Sequence, residues 1–205
     1  MKLLYIESKL KNQNMALEKS ELAKLPKKLF LAYTIQYKDL AKSIKKQLEA
    51  NNIKIKKFQQ VLGCSRINTN FPVFFVGTGK FHSLNLYFQT PEIYILESRE
   101  IIKVPKKDID ALKTRLKSSL IRFLSGKNIG ILITTKLGQK IDLAESLKLK
   151  QKLAKKGKES FIFISDNINS SQFENFNIDS WINTACPGLA LDNPNIINYQ
   201  DLPLI

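Results

Sequence analysis

The chain has 205 residues, is 43% hydrophobic and carries 33 Lys and Arg against 18 Asp and Glu, a formal charge of +15. That apolar content suits one large or two small packed domains and excludes a disordered chain. The longest apolar runs, 29–35 (LFLAYTI) and 129–133 (IGILI), are strand length, short of the roughly 20 residues of a membrane helix. The N-terminus lacks the apolar core and cleavage site of a signal peptide, so a soluble, cytoplasmic protein with no membrane partner is expected. The lysines are spread over helix faces and loop ends, with few arginines and no interleaved aromatics. They suit a solvated surface better than a nucleic-acid groove.

In chain order, residues 3–7 (LLYIE) have the composition of a short strand with no neighbour before it. Residues 8–28 form a lysine-rich connector with weak helical spacing at Met15, Leu17, Leu22 and Leu25, ended by Pro26. A regular pattern starts at Leu29: a buried strand over 29–35, then a helix with Leu40, Ala41, Ile44 and Leu48 on one face, closed by Asn51 and Asn52. Residues 53–58 alternate apolar and lysine as a half-exposed strand does, and Gly63 and Cys64 follow in a loop. Residues 73–77 (VFFVG) form another buried strand that leaves through the glycine-bearing turn GTGKFH at 77–82, and 93–96 (IYIL) form the next strand.

Pro105 then breaks the chain, and Asp108 is the expected cap of a helix with Ile109, Leu112, Leu116, Leu120 and Phe123 at helical spacing up to Gly126. This helix is expected to join two domains. Beyond it the first pattern returns: a buried strand at 130–135 (GILITT), a turn with Gln139, a helix ending at Gly157, a strand at 160–165 (SFIFIS), and WINTA leading into Cys186. The expected divisions are 1–28, the tail end of a first domain and a connector; 29–105, an α/β domain with Cys64; and 106–205, an α/β domain with Cys186. The fold class is α/β, with two repeated small doubly wound domains of parallel sheet and right-handed crossovers. In such sheets the loops at the carboxyl ends of strands face the ligand crevice, which places 34–36, 77–82, 134–139 and Cys186 there.

Cys64 and Cys186 are the only cysteines, and no CxxC pair exists. Two thiolates are too few for a zinc or iron–sulfur site by themselves, so ligation would require donors from elsewhere; burial as small apolar side chains is the other reading. GTGKFH lacks the spacing of a Walker loop or a Rossmann fingerprint, although Gly77, Thr78 and Gly79 would let backbone amides approach an anion. Thr135 and Gln139 could meet a ligand's polar edge or cap a helix. His82 is as readily a turn or core residue as a ligand.

Taken in order, LPKKLFLAYTIQYK, VLGCS, VGTGKFH, GILITTKLGQ and INTACPGLALDN resemble the archaeal diphthamide synthases from about Leu3 to the C-terminus. The resemblance implies three similar α/β domains that each give one cysteine to a 4Fe–4S cluster. The open iron binds S-adenosylmethionine, whose 3-amino-3-carboxypropyl fragment is transferred as a radical to a histidine of elongation factor 2. Cys64 would be the second-domain ligand and Cys186 the third-domain ligand. Gly77, Thr78, Gly79, His82, Thr135 and Gln139 would line the cofactor cleft.

Departures from the pattern are Ser83 where a proline is usual, Gly188 where a basic residue is usual, and no counterpart of the first domain with its cysteine. The expectation is therefore the C-terminal half of a split enzyme, working with a polypeptide that carries the first domain, as a dimer of the full assembly. The alternative is a non-catalytic truncated paralogue acting as a basic protein- or RNA-binding module.

Overall fold

The computed structural model describes residues 6–8, 10, 15–78, 83–136, 143–173 and 175–203. They divide into two compact units, Met1–Ile109 and Asp110–Ile205. The first contains α1 (Lys19–Leu22), β1 (Lys28–Tyr33), α2 (Lys38–Ala50), β2 (Lys54–Gln60), β3 (Val73–Val76), β4 (Ile93–Glu97) and β5 (Glu100–Lys103). Its sheet has the order β2-β1-β3-β4-β5, parallel throughout except at β5. Burial explains the arrangement: five of the six β1 residues and all of β3 are buried, as central strands covered on both faces must be, whereas lysine-rich β2 lies at the edge. Leu40, Ala41, Ile44 and Leu48 of α2 join Leu29, Leu31, Phe74 and Val76 in the core on one face.

Three features depart from expectation. Of the strand expected at 3–7, residues 3–5 lie outside the described residues, and Ile6 and Glu7 belong to no strand; Ile6 is 83% exposed. The stretch read as a connector packs instead: Leu17, Leu22 and Leu25 are buried in the core of the first unit, and Glu21 accepts the Ile101 N–H at 2.5 Å, docking α1 on β5. The third is β5 itself, an antiparallel return of β4 through a turn whose Ser98 and Arg99 both have positive φ, 49° and 76°. Such a tight hairpin turn is usually marked by glycine or asparagine, and no such residue announces it here.

The second unit begins on α3 (Lys106–Ser125) and continues through β6 (Asn128–Thr134), α4 (Leu143–Lys155), β7 (Glu159–Ser165), β8 (Ser180–Asn183), α5 (Leu189–Asp192) and β9 (Ile196–Asn198). α3 starts two residues before Asp108, which therefore sits in the first turn rather than at the cap. The sheet order is β7-β6-β8-β9, all parallel, which repeats the β2-β1-β3-β4 order of the first unit. Gly130 in β6 makes room for Trp181 of β8, since a β-carbon there would overlap the indole. Phe163 meets that indole edge-on at 4.8 Å and Phe173 stacks on it at 4.5 Å.

Two charged side chains tie the α3 terminus and the β6 entrance to the rest of this unit. The Lys158 ammonium donates to the carbonyls of Phe123, Leu124 and Gly126 at 2.6–2.9 Å, satisfying the end of α3 and complementing its dipole. The Asp179 carboxylate accepts the Lys127 and Asn128 N–H groups, each at 2.8 Å. Those hydrogen bonds, Asn128's first, hold its pKa below the usual aspartate value.

Replacing Lys158 with Met should destabilise the second unit by about 1–2 kcal/mol, measured as a lower urea midpoint. Asp179, with its folded pKa depressed, stabilises the fold above the unfolded value near 4, and this contribution is lost as pH falls through the lower folded value. The stability gap between the parent and Asp179→Asn should therefore be present at neutral pH and close on acidification in denaturation series run at successive pH values.

Candidate functional site

The carboxyl ends of the parallel strands carry the residues singled out in the sequence. β2 leaves its ladder after Gln60, and the Val61 N–H still bonds the Tyr33 carbonyl at 2.8 Å. The chain then turns tightly: the Leu62 N–H donates to Ser65 Oγ at 2.8 Å and the Ser65 N–H returns to the Leu62 carbonyl at 3.0 Å. This turn presents Cys64 as an exposed, free thiol. Gln89 anchors its far side, donating to the Ser65 carbonyl at 3.1 Å and accepting the Ile67 N–H at 2.5 Å.

In the second unit, β8 ends at Asn183, and the Thr184 N–H and hydroxyl both donate to the Leu132 carbonyl, at 3.1 and 2.7 Å. Cys186 follows, free and half-buried, and its carbonyl accepts the Leu189 N–H at 3.1 Å where α5 begins. The two cysteines are not equivalent within the repeated topology. Cys64 follows the edge strand β2, whereas Cys186 follows β8, the counterpart of β3.

Gly77 and Thr78 occupy the exit of β3. A β-carbon on Gly77 would lie 2.7 Å from Phe75 Cζ and 2.9 Å from Thr34 Oγ1, so the position accepts glycine alone without movement. Thr34, at the exit of β1, is 6% exposed, and its hydroxyl has no hydrogen-bond partner among the described residues. It lies at the exit of β1 beside β3, where the strand order reverses, the switch point at which open parallel sheets bind ligands. A cavity of about 780 Å³ opens over the ends of β3 and β4, lined by Tyr37, Gly77, Thr78, Tyr87, Arg99 and Asp108 among others. Burial raises the Tyr87 phenol pKa and the Ser83 hydrogen bond opposes the shift, so this phenol remains a neutral hydrogen-bonding group.

Thr135, at the exit of β6, hydrogen-bonds through its hydroxyl to the Asp166 carboxylate. Gly79, His82 and Gln139 lie outside the described residues. Gly77 and Thr78 are thus brought together on one cavity, while Thr135 belongs to the other unit. Sequence reasoning missed Tyr37, Tyr87, Arg99 and Asp108 as lining residues because no motif marks them; only the β4–β5 hairpin and the start of α3 carry Arg99 and Asp108 to the cavity. Among the described residues, no three His, Cys, Asp or Glu side chains cluster as a metal site. Nor is any of their helices long and apolar enough to cross a membrane.

Comparison with known proteins gives a consistent picture. The model of the family described as "Putative diphthamide synthesis protein" matches residues 1–203. The chain is 24% identical over 185 residues to the 2-(3-amino-3-carboxypropyl)histidine synthase of Pyrococcus horikoshii, covering 84% of this chain and 54% of that protein. It is 30% identical over 175 residues to the synthase of the same name from Methanocaldococcus jannaschii, covering 82% and 47%. Subunit 1 of the Yarrowia lipolytica synthase is 28% identical over 142 residues, covering 65% and 32%. The chain therefore spans about half, or less, of the length of these relatives. Two solved structures of Dph2 from Pyrococcus horikoshii, one described with a 4Fe–4S cluster, share the fold with a TM-score of 0.75 at 20% identity, over 89% of this chain and 58% of theirs.

Replacing Thr34 with Val removes a buried hydroxyl that has no partner among the described residues and keeps the side-chain shape. Thermal denaturation should show stability unchanged or raised by as much as about 1 kcal/mol, in contrast to the usual loss when a buried threonine is replaced.

Proposed function

Because the chain belongs to the diphthamide synthesis protein family, we propose that it forms part of a 2-(3-amino-3-carboxypropyl)histidine synthase. It would take part in transferring the 3-amino-3-carboxypropyl group of S-adenosylmethionine to a histidine of elongation factor 2. The observation that carries this reading is the placement of both cysteines: each is free, each is at least partly accessible, and each sits in a loop at the carboxyl end of a parallel sheet. Structural cysteines in a reducing compartment are more often inert and buried.

Accessible thiols of this kind fit thiolate ligation. Cys64 and Cys186 would each supply one thiolate to a 4Fe–4S cluster, and the third cysteine of the cluster would come from a first domain outside these residues. When bound, such a cluster supplies the electron that opens a sulfur–carbon bond of S-adenosylmethionine. The chain's own residues bind and orient. Gly77 lets its backbone pack against Phe75 and the Thr34 hydroxyl, and Thr78 with the neutral Tyr87 phenol adds polar groups to a cavity also lined by Phe75, Ile95, Arg99 and Asp108. That combination of an apolar wall with placed polar and charged groups suits a small-molecule cofactor. Gly77, Thr78 and Thr135 are the cofactor-binding residues of this reading among those described.

Anaerobic iron and sulfide reconstitution, with iron counting and paramagnetic resonance, tests it on the chain alone and on a mixture with a first-domain polypeptide. A stable cluster is expected only in the mixture, and Cys186→Ala should bring iron to background and abolish transfer to elongation factor 2. A full iron complement and full activity in that variant would overturn the ligand assignment. Absence of a cluster under both conditions would favour a non-catalytic binding module instead.

A further inference from the structure

We infer that Asn183 is a positioning residue for Cys186: its carboxamide clamps the backbone of the two residues that carry the thiol. The inference rests on the reading of Cys186 as a cluster ligand. Asn183 is the last residue of β8 and is 2% exposed. Its Oδ1 accepts the Ala185 N–H at 2.9 Å, and its Nδ2 donates to the Cys186 carbonyl at 2.8 Å. One planar amide thus closes on both the N–H and the C=O of the Ala185–Cys186 dipeptide, as a neighbouring strand would.

The second Nδ2 hydrogen donates to Asn198 Oδ1 at 2.9 Å, and Asn198 Nδ2 in turn donates to Asp201 Oδ2 at 3.1 Å. Asn183 and Asn198 are register partners of the β8–β9 ladder, so their side chains stand on the same face one strand spacing apart. The clamp is therefore braced by the sheet and by the turn that follows β9.

The choice of residue follows from the donor and acceptor count. Aspartate keeps the acceptor for Ala185 but sets a carboxylate against two acceptors, the Cys186 carbonyl and Asn198 Oδ1. Glutamine moves the amide outward by a methylene, and leucine leaves Ala185 N–H, Cys186 C=O and Asn198 Oδ1 short of a partner. Adjacent positions on the central strands are apolar, and a buried, hydrogen-bonded asparagine pair contributes to uniqueness of geometry more than to net stability. What that geometry fixes is the backbone on either side of the Cys186 α-carbon, and hence the direction from which Sγ leaves the loop.

The test uses the whole chain and needs no cluster. Iodoacetamide labelling of the two cysteines is timed by mass spectrometry in the parent, Asn183→Asp and Asn183→Ser, with Cys64 in the other unit as internal reference. Labelling of Cys186 should accelerate about tenfold, equivalent to about 1.4 kcal/mol of lost local anchoring, while Cys64 keeps the parental rate. Thr184→Val, which removes only the side-chain bond to Leu132, should stay within about twofold on the scale set by that anchoring. Cys186 rates within about twofold of parent in both Asn183 variants would overturn the clamp on the same scale. If Asn183→Asp does not fold, Asn183→Ser, which buries no charge, decides alone, with amide hydrogen exchange at Ala185 as a second readout.

In the reconstituted mixture, the Asn183 variants should lower iron occupancy and broaden the paramagnetic signal. An intact cluster in Cys186→Ala would remove the ligand reading and leave the labelling result to judge the clamp.

Discussion

The structure depends on one constraint, the burial of a predominantly apolar central strand in each unit. β1 and β6 are covered on both faces, as the strands of parallel sheets joined by crossovers are, and every strand exit except that of antiparallel β5 falls on one edge of its sheet. That edge carries Thr34, Cys64, Gly77 and Thr78 in the first unit, and Thr135 and Cys186 in the second. Without the crossovers, these residues would be scattered over both ends of their sheets.

The loops on that edge are held by polar groups as well as by packing, such as that of Val61 and Ile67 around Cys64. Gln89 anchors the far side of the Cys64 turn, and Asn183, Thr184 and Asn198 fasten the loop to Cys186. A short loop cannot bury enough apolar surface to define its own conformation, so side-chain amides stand in for a missing strand neighbour. The β1 exit is the exception. Its Thr34 hydroxyl is desolvated without a partner among the described residues, packed with Phe75 against Gly77 where a side chain would otherwise stand.

The repeat is real in topology and incomplete in chemistry. Thr34 and Thr134 occupy matching strand exits, but the Thr134 hydroxyl donates to the Asp166 carbonyl, whereas that of Thr34 has no partner among the described residues. The cysteines follow non-equivalent strands, β2 and β8, so matching the halves by their strand–helix–strand pattern correctly pairs the scaffolds and wrongly suggests that the thiols correspond.

By itself the sequence determined the α/β class, the central strands and the buried face of α2, because uninterrupted apolar runs and helical spacing record burial directly. Its ordered motifs also carried the family resemblance. It left the antiparallel β5 unread, since a hairpin through Ser98 and Arg99 has no local signature and forms because Ile101 and the Glu21 contact dock it onto the sheet. Leu17, Leu22 and Leu25 read as connector because their helical spacing is weak and charges intervene, and only packing against the α2 side of the sheet makes them core. Tertiary structure alone decided the cavity over β3 and β4 and the clamp on Cys186. Both join side chains separated in sequence, and a hydrogen bond between Asn183 and Asn198 exists only once β8 and β9 lie in register.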